Sequence, residues 1–391
     1  MIELRCDLLV VGAGPAGAAL AATIAQRGAD VVLVERARHP RPKACAEYAS
    51  PRVVEELRRI GLGRDAWQPA AVPLRGMRVV VDGEGVDVTY ADRRGPRPAW
   101  GLDRQAFDAR LVTHARDCGA TILEEHRFLN VLYEGGRVAG ATIASPAGLM
   151  SVRAPWTVGA DGARSTVSRS LGVEREVRFP RRLGLVAHYR GVPQLTDHGE
   201  MHVGDGYFIG LAPTPGGELN VGMALPAEPA GSGAARFDRA IAGLPAVAAR
   251  LAHSERLTPI RGAAPIGHRV ASVAGPGWLL VGDAAGFVDP FTGEGIYRAL
   301  RTARAAANSL ALADDRVAPA YRAERRRALV AKDTLTWVVQ ALLVAPPLLR
   351  HAVRRLAERP EAALRLGSAL GDCRPATDAL SPRFLASVLA P

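Results

Sequence analysis

Gly12-Ala13-Gly14-Pro15-Ala16-Gly17 stands between an apolar run, Leu8-Leu9-Val10-Val11, and an alanine-rich stretch that ends at Arg27-Gly28. A helix that opens on so little side chain leaves bare N–H groups and the positive end of its dipole facing any anion placed against them. Gly12 permits the tight turn, Gly14 lets a pyrophosphate approach, and Gly17 lets helix and strand pack closely. A second apolar run, Val31 to Val34, closes on Glu35, where a carboxylate accepts hydrogen bonds from a ribose. A glycine fingerprint inside a βαβ unit, with an acid at the end of the second strand, predicts a dinucleotide site.

Two further loops share this grammar. Thr157-Val158-Gly159-Ala160-Asp161-Gly162-Ala163-Arg164-Ser165 puts an acid on a tight turn after a short strand. Trp278 to Val281 reads as another strand with Asp283 at its end, and Gly286, Pro290, Gly293 and Gly295 punctuate the turn before a helix reaching to about Ala313. Between the first and second loops, Arg41-Pro42-Lys43-Ala44-Cys45-Ala46-Glu47-Tyr48 gathers an ammonium, a thiol and a carboxylate. Of 50 basic residues only Lys43 and Lys332 are lysine, so position 43 favours a compact ammonium over a guanidinium. Cys45 is read either as a proton donor or as a buried, inert thiol.

The elements that must hold these groups fit a chain of 391 residues in two or three packed layers and two domains. The net charge of +11 is carried almost wholly by arginine, which reflects base composition more than ligand preference. Aromatics are 5% of the chain and no basic stretch is interleaved with them, so nucleic acid is excluded as a partner. Cys6, Cys45, Cys118 and Cys373 form no CxxC, which argues against a metal site and a disulfide framework and for a reducing cytoplasm. No signal peptide is expected. The longest C-terminal apolar run, Leu335 to Leu349, is broken by Pro346-Pro347 and falls short of the roughly 20 residues of a membrane span. The chain is expected to be soluble or at most peripheral to a membrane.

With the three loops in view, the chain resembles the glutathione-reductase-type FAD flavoproteins of the p-hydroxybenzoate hydroxylase and geranylgeranyl reductase superfamily over about residues 5 to 310. The resemblance implies an α/β protein: a Rossmann FAD-binding domain with an inserted antiparallel β-sheet substrate domain and a C-terminal helical segment. The expected division assigns 1–75, 99–176 and 268–315 to the FAD domain, 76–98 and 177–267 to the substrate domain, and 316–391 to the helical segment. It also implies that the first motif, with Glu35 and Arg36, binds the ADP half of FAD. Asp161 then lies near both FAD and a transient nicotinamide donor, and Asp283 meets the ribityl chain and pyrophosphate. Gly293-Glu294-Gly295, followed by Ile296, faces the pyrimidine edge of the isoalloxazine, where reduced flavin carries negative charge. Arg104 matches an arginine that contacts the flavin; the alternatives are a solvated arginine at a helix start or a structural pair with Asp103 or Asp108.

Departures from the family bear on the chemistry. Geranylgeranyl reductases have a similar Lys-x-Cys followed by glycines, where this chain has Ala46 and Glu47. Their Tyr-x-Trp-x-Phe-Pro box is matched here by Tyr207-Phe208-Ile209-Gly210-Leu211-Ala212-Pro213, with aliphatic residues at the tryptophan and phenylalanine positions. That favours a compact polyketide-like or terpenoid substrate over a long prenyl one. Tyr207 is read as a packed strand aromatic or as a catalytic acid. Strands are expected at 183–190, 199–203, 207–211 and 218–225. From about Arg316 the chain is expected to be helical, with Arg322, Arg325, Arg326, Arg327, Arg350, Arg354 and Arg355 on solvated faces, and Trp337, Leu342, Leu343, Leu348 and Leu349 are read as an apolar lid or a membrane-touching edge for a lipophilic small-molecule substrate.

The resemblance implies an FAD-dependent oxidoreductase. The favoured reaction is reduction of a carbon–carbon double bond by hydride from flavin N5, with Cys45, Glu47 or Tyr207 supplying the proton and Lys43 nearby. The alternative is a monooxygenase working through a flavin C4a-hydroperoxide. A halogenase lacks its Trp-x-Trp-x-Ile-Pro segment here. No second GxGxxG exists, so electrons are expected from transient NAD(P)H or from a partner reductase.

Overall fold

The computed structural model describes residues 2–227 and 232–389. A six-stranded sheet runs in the order Thr121–Leu123, Val31–Val34, Leu8–Val11, Trp156–Gly159, Trp278–Leu280, Ala274–Gly275, parallel except for the last strand. Leu8–Val11, Val31–Val34 and Trp156–Gly159 are buried along their whole length. That is what continuous Val/Leu runs do when a parallel sheet is covered on both faces. On one face lie the glycine-loop helix Pro15–Ala25 and the helices Arg104–Asp117 and Gly295–Ser309. On the other face lies a four-stranded sheet that includes Arg127–Glu134, Arg137–Ser145 and Gly148–Arg153.

Parallel strands deliver their carboxyl ends to one edge. Gly12, Glu35, Ala160-Asp161 and Val281-Gly282-Asp283 each follow directly on a strand of this sheet, so sequence positions more than 200 apart meet along one crevice. Above it stands an eight-stranded sheet built around Arg182–Arg190, Glu218–Pro226, Phe208–Thr214, His198–Val203, Gly76–Val81 and Glu84–Thr89, in that order. The four strands expected between 183 and 225 are present to within a few residues.

Period-two alternation gives this second sheet two unlike faces. Leu185, Ala187, Ile209, Leu211, Val221 and Met223 pack under the helices Gly233–Ala242 and Pro245–Leu251. Gly184, Val186, Phe208, Gly210, Ala212 and Gly222 turn toward the crevice. Gly210 and Gly222 are cross-strand partners, so this part of the sheet is nearly bare of side chains.

The helix after the third loop ends at Ser309 rather than near Ala313. A new helix begins at Asp314, with Asp314 and Asp315 in its first turn where carboxylates complement the dipole. It runs to Leu343, and after a break at 344–345 the chain turns by 114° into Pro346–Ala357. Among the described residues no single helix is long and apolar enough to cross a membrane. Of the five apolar residues singled out in this segment, Leu343 and Leu349 are buried in a core shared with the strand Glu84–Thr89, and Leu342 packs against it. Only Trp337 and Leu348 remain exposed.

Candidate active site

Between the two sheets lies a cavity of about 820 Å³ with a polar end and an apolar end. Its polar end is the glycine loop. Gly12 has φ +104°, and a side chain there would strike the backbone of Ala160. A Cβ on Gly17 would stand 1.8 Å from the Gly12 carbonyl oxygen, which is why the helix can fold back so closely on the turn. Gly14 is different, because a Cβ there meets no protein atom within 4 Å and the residue lines the cavity. Glu35 holds the loop to the strand end: its Oε2 accepts from Ala13 N at 2.9 Å and its Oε1 from Ala37 N at 3.1 Å. A carboxylate has further lone pairs for a ribose. Ala13 and Gly17 lie beneath the loop, whereas Gly12, Gly14, Pro15, Ala16, Glu35 and Arg36 line the cavity. His126, Arg127 and Phe128, which carry no sequence motif, complete that end.

The second loop has two tasks. Asp161 Oδ2 accepts from Thr166 N, Thr166 Oγ1 and Val167 N, fixing the short helix Thr166–Ser170. Its Oδ1 is buried without a partner in a residue that lines the cavity. Asp283 and Ile296 line the cavity too. The helix Gly295–Ser309 starts with no side-chain cap, and a Cβ on Gly295 would have its nearest neighbour at 4.0 Å, so the helix N-terminus is open. Gly293 is closed instead, since a side chain there would run into the ring of Tyr48.

Glu294 departs from its expected place. Its side chain points away from the cavity and is paired with Lys332 Nζ at 2.7 Å, with Arg298 4.0 Å away. Lys332 also bonds Asp372 at 3.3 Å and the carbonyls of Ala369 and Leu370. The contribution of position 294 to the cavity is therefore its backbone at the helix start. Of the two alternatives for Tyr207, the packed strand aromatic is the one found, and the catalytic acid is not. The Tyr207 hydroxyl donates to the Ala240 carbonyl at 3.0 Å, on the helix-covered face of the sheet. Strand parity packs Tyr207, Ile209 and Leu211 together into the helix-covered core; Ile209 does not line the crevice, and Leu211 borders it as well.

The loop 41–48 forms the wall between the two ends. Lys43, Cys45 and Glu47 all line the cavity, and Lys43 has no hydrogen bond or ion pair among the described residues. Arg104 is buried and held by Asp108 through two bonds of 2.8 Å, so the structural pair with Asp108 is real. Asp103 caps the helix instead. The remaining arm of Arg104 reaches the wall, where Nη1 donates to Cys45 Sγ at 3.0 Å. Glu47 N donates to the same sulfur at 3.4 Å. Burial alone would disfavour the Asp108 carboxylate, but the Arg104 charge beside it holds its pKa below the usual range.

Glu47 has φ +57°, a backbone conformation that glycine adopts at no cost and other residues adopt at about 1 kcal/mol. Its carboxylate holds the conformation: Oε1 accepts from Arg104 N at 3.2 Å, and Oε2 from Asn220 Nδ2 at 3.2 Å and His188 Nε2 at 2.7 Å. The hydrogen bond to Glu47 raises the His188 pKa, so this contact is strongest below the ordinary histidine pKa and weakens as pH rises through the raised one. Glu47 is thus the pin joining the loop to the start of the helix Arg104–Asp117 and to the second sheet. Asn220 and His188 carry no motif, but period-two counting from Gly222 places them on the crevice face.

A parallel α/β sheet with a glycine-loop helix start, three acid-bearing loops on one edge and a second sheet over them defines an FAD flavoprotein. The open face of Gly14, the partnerless Oδ1 of Asp161 and the uncapped helix start at Gly295 are consistent with FAD in the crevice. The chain belongs to the FAD-binding-domain family, whose model matches residues 5–337, and within it to the geranylgeranyl reductase and p-hydroxybenzoate hydroxylase-like flavoproteins. It is an FAD-dependent oxidoreductase. It is 33% identical over 323 residues to the menaquinone reductase of Mycolicibacterium smegmatis, covering 78% of this chain and 76% of that one. It is 30% identical over 312 residues to the digeranylgeranylglycerophospholipid reductase of Methanoculleus marisnigri, covering 77% and 75%. The crystal structure of a flavoprotein/dehydrogenase from Cytophaga hutchinsonii has the same fold, with TM-score 0.83, 22% identity and coverage of 94% and 92%.

Proposed function

We propose that the protein reduces a carbon–carbon double bond of a lipophilic isoprenoid, terpenoid or polyketide-like substrate. The observation that carries this reading is Cys45, held in the cavity wall by two N–H donors between the polar glycine-loop end and the apolar floor. Bound FAD, once reduced, supplies the hydride. The chain then has to supply a proton and a dry place to deliver it.

Arg104 Nη1 and Glu47 N occupy acceptor positions of the sulfur, which leaves the thiol proton free to turn into the cavity. Loss of that proton leaves a thiolate beside a guanidinium that is anchored by Asp108 and has little freedom to move away. Lys43, without a hydrogen-bond or ion-pair partner among the described residues, stands two residues away as a source of replacement protons or as an anchor for an anionic substrate group. The floor of Gly210, Gly222, Ala212 and Phe208 with Met77, Met201 and Ile266 excludes water and accepts an apolar chain. Two relatives named as reductases, one of a quinone and one of a digeranylgeranyl lipid, support the substrate class. Electrons would come from NAD(P)H entering the same crevice or from a partner reductase.

Anaerobic turnover tests the reading. Photoreduced holoprotein mixed with a polyprenyl quinone or a geranylgeranyl lipid without oxygen should return to the oxidised colour while the product gains two hydrogens. A product that forms only when oxygen is admitted, and carries one oxygen atom more, would overturn the reductase assignment in favour of a monooxygenase. Within the reductase reading, Cys45→Ala should retain FAD and lower turnover by about a hundredfold or more, the usual worth of a positioned general acid. Unchanged turnover would make Cys45 a packing residue.

A further inference from the structure

We propose that the outer face of the C-terminal helical segment, together with Phe179, is a docking surface for an anionic phospholipid bilayer. Val330, Trp337 and Val344 recur every seven residues along the helix Asp314–Leu343 and just past its end, and Leu348 follows in the first turn after the bend. All four are exposed, by 40 to 58%. Phe179 arrives from a different part of the chain, is 51% exposed and stacks on Trp337 with ring centroids 6.5 Å apart. Solvated surfaces carry single apolar side chains routinely, but two stacked aromatics continuing into an aliphatic stripe form a contiguous patch.

Charge identifies the occupant. Arg326 and Arg327 are exposed one turn ahead of Val330 and Arg178 precedes Phe179, and none of the three has an ion-pair partner among the described residues. Between Arg326 and Leu349 the only acid is Asp333, and it is bound to Arg298 at 2.5 Å. Glu176, exposed beside Arg178, is the one acid near Phe179 without an ion-pair partner among the described residues, and three unpaired arginines outweigh it. An apolar stripe with such a cationic margin is the pattern that lies flat in the headgroup region of an anionic membrane. A second copy of this chain would bring the same cations against one another. The placement also has a use, because the helix that carries Val330 and Trp337 sends Leu335 and Val339 into the core that Ile266 and Phe291 of the cavity wall also join. Arg182, three residues after Phe179, accepts from Ile266 N through its carbonyl and pairs with Asp289, and Ile266 and the neighbouring Phe291 line the cavity. A lipophilic substrate dissolved in a bilayer would then lie against the wall of its own site.

The chain has five tryptophans, and Trp67, Trp100, Trp156 and Trp278 are buried, so Trp337 reports on the patch alone. Its emission should be quenched by vesicles of brominated phosphatidylglycerol, less by brominated phosphatidylcholine, and less again in high salt. In co-sedimentation with phosphatidylglycerol vesicles, the double variant Phe179→Ser/Trp337→Ser should bind at least about tenfold more weakly, because two aromatic rings lose their apolar burial. Arg326→Glu/Arg327→Glu should lose about fivefold or more per charge and with it the preference for anionic lipid. These positions are exposed, so retained flavin colour checks that the variants are folded. Failure of Trp337 to be quenched by either brominated lipid would overturn the proposal. Shielding of Trp337 without vesicles, accompanied by a doubled mass, would assign the patch to a second copy and overturn it equally. Neither readout involves turnover, so the result is independent of which reaction the flavin site performs.

Discussion

Gly17→Ala and Gly14→Ala are expected to fail in opposite ways although they lie three residues apart in one loop. At Gly17 the new methyl would fall 1.8 Å from the Gly12 carbonyl, inside any contact distance, and the atom it strikes is backbone. The turn must open, with a loss of about 3 kcal/mol or more and no flavin retained. At Gly14 the methyl meets no protein atom, and φ −75°, ψ −176° suits alanine, so stability should change by no more than about 1 kcal/mol. The same methyl projects into the crevice, where it would lift a pyrophosphate off the helix-start N–H groups and weaken FAD binding on the order of a hundredfold. Thermal unfolding of each apoprotein, beside titration with FAD, separates the two. Equal loss of stability in both would show that Gly14 is held by packing rather than left open for a ligand.

Lys332→Met should be the most damaging change outside the cavity. Lys332 is 5% exposed and stands between the carboxylates of Glu294 and Asp372, both removed from water. Removing the ammonium leaves two buried carboxylates with only Arg298, 4.0 Å from Glu294, to offset them, which costs about 3–5 kcal/mol. Even in the intact protein, burial and the nearby Glu294 push the Asp372 pKa up from the ordinary 3.8 to about 7. Between those values the folded chain holds a proton that the unfolded chain has released. The contribution of Asp372 therefore falls as pH rises from about 4 to 7 and stays low above that. Acidification from pH 8 to pH 5 should raise the stability of the parent through this residue, and should rescue Lys332→Met more strongly. Asp372→Asn should flatten the dependence. Denaturant midpoints followed by flavin release measure all three, and a Lys332→Met midpoint equal to the parent's would refute the argument.

The parts of the site that were legible in the sequence are those fixed by local backbone geometry. Gly12, Gly14, Gly17 and Glu35 sit within one βαβ unit, whose turn, helix start and strand end leave few alternatives. Asp161 and Asp283 were legible for the same reason, each following a short apolar strand. Glu294 was not, because the direction of its side chain depends on Lys332, which the chain brings to it only after a complete intervening helix. Residue type alone left Tyr207 open between a packed aromatic and a catalytic acid. Counting alternate positions from the Gly210 and Gly222 pair would have sent it to the other face. Glu47 looked like a departure from a glycine pattern, yet it keeps the left-handed backbone of that pattern and uses its carboxylate to hold it. His188 and Asn220, which complete that arrangement, come from strands in the second sheet, and only register could place them.

The scarcity of lysine has a practical consequence for chemical labelling. Lys332 is enclosed and bonded on every side by oxygen, so an amine-directed reagent cannot reach it in the folded protein. Lys43 is the other lysine, partly exposed and in the wall of the cavity. Apart from a terminal amine, a dye or crosslinker of that type has one address on this molecule, and that address is the wall of its own reaction chamber.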